Sequence, residues 1–328
     1  MPTPDDPTPD DPAPADATPA VDASLAPAST SDPVRARAAA QESGHSRELR
    51  RPPLPEPLRR PVVDTHCHLD IADGDEGAEW LGLDAAVAAA ASVGVTRIVQ
   101  VGCDLPSARW SAAAAAENPA VVATVALHPN EAPRIHATGG RAALGAAYDE
   151  IAALAALPQV RGVGETGLDF FRTGEDGRAV QEESFRWHIA LARSLGKPLV
   201  IHDRDAHDDV VRVLESQGAP ATVVFHCFSG DAAMARQCTE QGWYLSFAGT
   251  VTFKNAAGLR EALAATPIDR VLVETDAPYL TPTPYRGRPN ASYLVPLTVR
   301  AMAATMGVDE DTLADALWTN AHHVFGDW

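Results

Sequence analysis

From Val62 onward, short runs of apolar, β-branched residues alternate with longer segments whose apolar residues recur every three or four positions. The runs "VVDTH", "RIVQVG", "VVATVALHP", "VRGVGETG", "PLVIHD", "TVVFHCF", "WYLSFAGT" and "RVLVETD" predict eight strands. Segments such as "GRAALGAAYDEIAALAAL", "AVQEESFRWHIALARSLG" and "DEDTLADALWTNAHHVFG" predict helices between and after them. Runs that are apolar throughout mark strands buried on both faces, as parallel βαβ units require. Eight such units match a (β/α)8 TIM barrel, in which functional side chains gather at the C-terminal ends of the strands. A doubly wound open sheet is the alternative, but no Gly-rich dinucleotide fingerprint follows an early strand.

The first sixty residues break this pattern. "MPTPDDPTPDDPAPADATPAVDASLAPASTSDP" repeats Pro, Asp, Ala and Thr without an aromatic residue, and "HSRELRRPPLPEPLRRP" reads as a stiff Pro-rich linker. The expectation is a disordered extension over residues 1–60 and a barrel over 61–328, with folding and metal content indifferent to removal of the extension. No secretory signal is expected, because "MPTPDD" lacks a basic start and no apolar run follows it. No membrane span is expected either, since the Ala-rich stretch from Leu81 is broken by Asp84, Gly94 and Arg97. The four cysteines, Cys67, Cys103, Cys227 and Cys238, show no CxxC spacing and read as buried, reduced thiols of a cytoplasmic protein.

Composition is globular, 45% hydrophobic and 21% charged, with a net charge of −18. Seven aspartates precede Val34 with no Lys or Arg among them, and the remainder is still acidic. An acidic protein does not bind polyanions over its whole surface. A phosphate-bearing substrate therefore needs local cations or bound metals.

Six ionisable residues fall at the ends of five apolar runs: His66 and His68, then Glu165, His202, His226 and Asp276. Strand alternation puts His66 and His68 on one face with Cys67 opposite, and by the same rule points Cys227 away from His226. Taken singly, each is an ordinary strand-end or capping group, and one HxH pair is weak support for a metal. Taken together they are costly at the ends of buried strands unless paired or metal-bound. Four imidazoles and two carboxylates exceed the needs of one zinc-like ion and suit two divalent ions that share a carboxylate. Glu165 is the natural bridge, and Asp276 a proton acceptor. Imidazole donors favour Zn2+ or Mn2+, whereas Mg2+ prefers oxygen ligands and water.

The motifs "DTHCHLD", "ALHPN", "GVGETGLDFF", "LVIHDR", "FHCFSG", "GTVTFKNA" and "VETDAPYL" occur in that order. In them the chain, from about Val62 to its end, resembles the TatD family of metal-dependent deoxyribonucleases within the amidohydrolase-like superfamily. The resemblance implies that His66, His68 and Asp276 hold a first ion, that Glu165 bridges, and that His202 and His226 hold a second. It also implies hydrolysis of DNA phosphodiesters by a two-metal-activated water, as a 3′-to-5′ exonuclease on single strands or 3′ ends, with magnesium supporting turnover. Two departures touch the pocket wall: Thr166 follows the glutamate where the family usually has an apolar residue, and Phe170–Phe171 replaces a frequent Tyr pair. Arg172, Arg204, Lys254, Arg286 and Arg288 follow strand ends and read as contacts to substrate phosphates. Competing readings are another amidohydrolase-like hydrolase of an amide, ester or lactone, a D-aminoacyl-tRNA deacylase, and a barrel that only binds a partner. Glu165 stands where many such amidases place a lysine, and no ligand of the set is missing, which disfavours the first and the last.

Overall fold

The computed structural model describes residues 29–37, 48–73 and 80–328. A short strand β1 (Arg35–Arg37) precedes β2 (Val62–Cys67) and β3 (Ile71–Asp73). There follow α1 (Leu83–Ala91), β4 (Val95–Gly102), α2 (Leu105–Glu117), β5 (Val121–Val125), α3 (Glu131–Ala155) and β6 (Val160–Asp169). Next come α4 (Glu175–Leu195), β7 (Leu199–Arg204), α5 (His207–Gln217), β8 (Val223–Phe225), α6 (Ala232–Glu240) and β9 (Tyr244–Phe247). The chain ends with α7 (Ala257–Ala265), β10 (Val271–Val273), α8 (Val295–Met306) and α9 (Glu310–Phe325).

Eight of these strands form one parallel sheet in the order β2-β4-β5-β6-β7-β8-β9-β10. The outer strands meet through a parallel bridge between Cys67 and Ala277. Asp276 N–H donates to His66 O (2.9 Å) and His68 N–H to Ala277 O (2.8 Å), which completes the closure. The result is the (β/α)8 barrel expected from the eight apolar runs. Val63, Val99, Val122, Val200, Val224 and Leu272 meet inside it, with Ala321, Val324 and Phe325 of α9 packed beneath. That end is therefore sealed with hydrocarbon, and the polar strand ends gather at the other. Two of the helices that follow those ends have side-chain caps: Asp104 and Ser107 form a capping box on α2, and Asp231 accepts from the Ala233 and Met234 N–H groups of α6. Among the described residues, no helix is long and apolar enough to cross a membrane.

Two expectations need correction. First, β8 stops at Phe225 and β10 at Val273, so His226 and Asp276 stand on turns beyond their strands. Cys227 and Asp276 adopt φ of 43° and 52°, in the left-handed region, so strand alternation does not set the direction of the Cys227 thiol. Second, residues 29–37 and 48–60 are not outside the fold. β1 pairs in parallel with β3, Leu58 is buried, and Arg288, Arg300 and Tyr293 donate to backbone carbonyls between Arg50 and Pro57. A Pro-rich segment has no hydrophobic period, but its carbonyls remain good acceptors and here arginines and a tyrosine of the barrel take them. Residues 1–28 and 38–47 of the expected extension lie outside the described residues.

Candidate metal centre

The local chain geometry that builds the site begins with Asp64. This fully buried carboxylate accepts from Thr275 N–H (2.9 Å), Thr275 Oγ1 (2.6 Å) and His66 N–H (3.4 Å), tying β2 to the turn that carries Asp276. Burial pushes its pKa up to about 6 against those bonds. On the opposite wall, two glycines let β6 approach β7. A Cβ on Gly164 would meet Val200 Cβ at 2.5 Å, and one on Gly167 (φ +140°) would meet His202 O at 2.1 Å. This close contact sets Glu165 beside His202.

All six predicted residues converge. Glu165 lies at the centre, and its two oxygens face different groups. Oε1 is 3.8 Å from both His66 Nε2 and His68 Nε2. Oε2 is 3.0 Å from His202 Nδ1 and 2.7 Å from His226 Nε2. Asp276 Oδ1 closes the first group at 3.3 Å from His68 Nε2 and 3.9 Å from His66 Nε2. Around an ion with bonds of roughly 2.0–2.2 Å, neighbouring donor atoms stand about 3–3.5 Å apart, close to the spacing seen.

Tautomers support the same reading. His68 Nδ1–H donates to Val101 O (3.2 Å) and His226 Nδ1–H to Glu274 Oε1 (3.3 Å), so the Nε2 lone pair of each points at Glu165. A lone pair facing a carboxylate oxygen at 2.7 Å requires a proton or a cation between them. Both ring nitrogens of His66 are buried and lack a hydrogen-bond partner among the described residues, an arrangement that costs about 1–3 kcal/mol per group unless something binds there. The His66 and His226 rings stack at 3.8 Å. Burial and then His226 hold His66 well below the usual histidine range. Burial also opposes charge on His226, but Glu165 and Glu274 outweigh it and raise that pKa well above the ordinary value. Burial likewise opposes the Glu165 anion, and the charge on His226 with hydrogen bonds from His202 and His226 reverses the balance, keeping the carboxyl ionised.

Sequence reasoning missed four further members. His128, at the end of the third run in "ALHPN", joins Glu165 and His202 within 4.8 Å. Burial and His202 push it down to about 3, so it is a neutral imidazole. Asp169 Oδ2 is 3.5 Å from His202 Nε2 and accepts from Asn130 Nδ2 (3.0 Å). Cys103 Sγ–H donates to Glu165 Oε1 (3.0 Å), and Glu274 accepts from Cys227 N–H (2.8 Å) as well as from His226. The strand-end rule that found His202 also applies to His128, the polar residue that follows "VVATVAL". Asp169 is the last residue of β6, four beyond Glu165, whereas Cys103 and Glu274 lie just past β4 and β10 with no spacing signal.

The cluster floors a cavity of about 530 Å3, lined also by Tyr279, Arg35, Arg172 and Arg204. Arg204 lies over the exposed Phe171 ring, its guanidinium carbon 3.9 Å from the centroid, so that departure in the "LDFF" motif serves as a platform for a cation. Thr166 is buried within β6. Lys254, Arg286 and Arg288 are not among the described lining. Arg286 sits over Phe253 (4.3 Å), Lys254 is exposed beside it, and Arg288 is engaged by the carbonyls of Arg50 and Arg51.

The family model described as "TatD related DNase" matches residues 63–326, nearly all of the barrel. The chain belongs to this family. The chain is similar to an "uncharacterized metal-dependent hydrolase TatD" of Mycobacterium tuberculosis, 48% identical over 269 residues that span 81% of this chain and 98% of that one. A "3'-5' ssDNA/RNA exonuclease TatD" of Citrobacter rodentium is 33% identical over 74% of this chain and 91% of its own. Among solved structures, the TatD homologue YJJV of Escherichia coli K12 superposes with a TM-score of 0.71 at 26% identity, covering 81% of this chain and 98% of that one. With TatD relatives of this likeness and a His/Glu/Asp cluster suited to metal, the chain is a metal-dependent hydrolase of the TatD type.

Proposed function

We propose that this chain is a two-metal phosphodiesterase that hydrolyses DNA from its ends, removing nucleotides in the 3′-to-5′ direction. The observation that carries this reading is the division of labour at Glu165: one oxygen faces His66 and His68, the other His202 and His226. A single ion does not need both sets of imidazoles. His66, His68 and Asp276 would hold one divalent ion, His202 and His226 a second, with Glu165 between them. Such ions supply Lewis-acid charge to phosphoryl oxygens and a lowered pKa to water. The donor set suits Zn2+ or Mn2+, and Mg2+ is the ion expected to support turnover at a site open to water.

The chain's own residues supply the rest. Asp276, at the rim of the cluster and partly open to the cavity, takes up the proton of the attacking water at a carboxylate oxygen. Arg204, braced on Phe171, orients the non-bridging oxygens of the substrate phosphate together with Arg172. Glu274 and the Val101 carbonyl hold the His226 and His68 rings in the tautomers described. Nucleic acid as substrate is supported by the exonuclease relative and by cations lining the cavity of an otherwise acidic protein.

The test pairs elemental analysis of the purified protein with cleavage of oligonucleotides labelled at either end, in Mg2+, Mn2+ and Zn2+. Two equivalents of metal and stepwise loss of 3′ nucleotides are expected. Hydrolysis of an amide, ester or lactone while both oligonucleotides stay intact would move the assignment to the wider amidohydrolase-like group.

A further inference from the structure

We propose that Arg35, supplied by the N-terminal extension, is a substrate-positioning residue that binds a phosphate flanking the one held at the metal cluster. The inference rests on the phosphodiesterase reading and adds to it a second anion subsite. The family match begins at residue 63, so Arg35 belongs to this chain's own extension and not to the shared barrel.

The extension is fixed at this point. Val34 N–H donates to Asp70 O (2.8 Å), Trp110 Nε1–H donates to Asp32 O (3.1 Å), and β1 pairs with β3 in register. Alternation along β1 puts Arg35 and Arg37 on one face. Arg37 is an anchor: it donates to Pro278 O (2.6 Å) and lies over the Tyr279 ring at 4.6 Å. Arg35 has a different situation. It lines the same cavity as His68, Glu165 and Asp276, and 38% of its side-chain surface stays open. Its one side-chain bond among the described residues is from Nη1 to Asp104 Oδ2, long at 3.3 Å, while Nε is buried without a partner. A guanidinium has five N–H donors and stays charged at any working pH, so most of the capacity of this cavity-lining side chain is unspent.

Its place in the barrel gives the geometry meaning. Asp104 follows β4 and Tyr279 follows β10, the two neighbours of β2. Arg172 and Arg204 sit at the ends of β6 and β7, across the barrel from β2. Cations therefore stand on both sides of the cluster. A strand crossing it presents one phosphodiester to the centre and its neighbours to either flank, and a bidentate phosphate contact is stronger than the single long bond to Asp104 that it replaces.

The test uses the full chain with Arg35→Gln and Arg35→Lys. One measurement is steady-state cleavage of a single-stranded oligothymidylate. The other is binding of its hydrolysis-resistant phosphorothioate analogue at several salt concentrations. Arg35→Gln is expected to raise KM roughly tenfold with kcat within about twofold, and to flatten the slope of log K against log salt by about 0.7, one phosphate on a single strand. Arg35→Lys, which keeps the charge, restores the slope and leaves KM intermediate. Unchanged KM and slope in Arg35→Gln, or a fall in kcat alone, overturns the subsite while the phosphodiesterase reading stands. Failure of Lys to restore the slope assigns Arg35 a purely structural part and also overturns it. A wild-type protein that neither binds nor cuts the oligonucleotide defeats both readings together.

Discussion

Asp276 is the residue on which the proposed chemistry turns most sharply. It sits on the turn beyond β10 at φ 52°, fixed through its backbone N–H to His66 O, with Oδ1 3.3 Å from His68 Nε2. Asn keeps the shape and one oxygen but cannot take up a proton. Asp276→Asn is therefore expected to lower kcat by roughly 10²–10⁴ while the protein folds and still binds oligonucleotide. Single-turnover cleavage alongside a binding titration at fixed metal checks this, and near wild-type turnover with metal retained would remove Asp276 from the role. Residues of this kind were legible in sequence because an ionisable group ending an apolar run is conspicuous. Cys103 was not: it is one of four scattered thiols, and only the closed barrel brings it to 3.0 Å from Glu165, whereas Cys67 packs toward Val99. Arg288 was misread for the converse reason. Position after a strand fixes where a side chain starts, not where its long stem takes the charge.

Between elements, the site depends on how closely β6 lies against β7 and on what holds the helices behind them. The methyl group of Gly164→Ala would sit 2.5 Å from Val200 Cβ, so β6 must retreat and carry Glu165 with it. The expected cost is roughly 1–3 kcal/mol of stability, together with weakened retention of metal on dialysis. Full metal content with an unchanged melting temperature would show that the strand has slack. Behind β5, His188 of α4 accepts from Leu127 N–H at Nε2 (3.1 Å) and donates from Nδ1 to Ser184 O (2.8 Å), and burial pushes its pKa down to about 4. The unfolded chain takes up this proton near pH 6.5, and the folded one only near pH 4. The contribution of His188 is therefore complete above pH 6.5 and is lost as pH falls to 4, by roughly 3 kcal/mol. His188→Gln removes that titration. In chelator, urea unfolding between pH 7 and 4 is expected to show a smaller loss of stability for the variant by about that amount; parallel losses would exclude the linkage. The helices and strands themselves were readable from their periods. The ends of β8 and β10 were not, because no Gly or Pro in "FHCF" or "VETD" marks where the chain leaves the sheet, and single bonds to neighbouring strands continue beyond both, from His226 N–H to Ile201 O (3.0 Å) and from Glu274 N–H to Phe247 O (3.2 Å).

At the scale of the molecule, the extension is where composition misleads. Pro- and Asp-rich sequence buries too little to fold alone, and that remains good physics. It does not follow that a barrel cannot bind such a segment. Leu58 is 7% exposed, Tyr293 Oη–H donates to Pro52 O (2.7 Å), and Arg288 and Arg300 hold the carbonyls on either side. Burial of one leucine is worth roughly 1.5–3 kcal/mol, and losing the acceptor of a buried hydroxyl costs about 1 kcal/mol more. Deletion of residues 1–60 should then lower the melting temperature by about 5–15 °C, at roughly 2–4 °C per kcal/mol for a chain of this size. Deletion of residues 1–47 keeps Leu58 and the carbonyl contacts but removes β1, so it should melt within a few degrees of the full chain. Its defect should appear instead in KM for oligonucleotide, by the same factor as Arg35→Gln, because it takes away the same guanidinium. Calorimetry and kinetics on the two truncations separate the parts: the linker is required for stability and β1 for substrate. Coincident melting of the full chain and the 1–60 deletion would return the linker to the role its composition suggests.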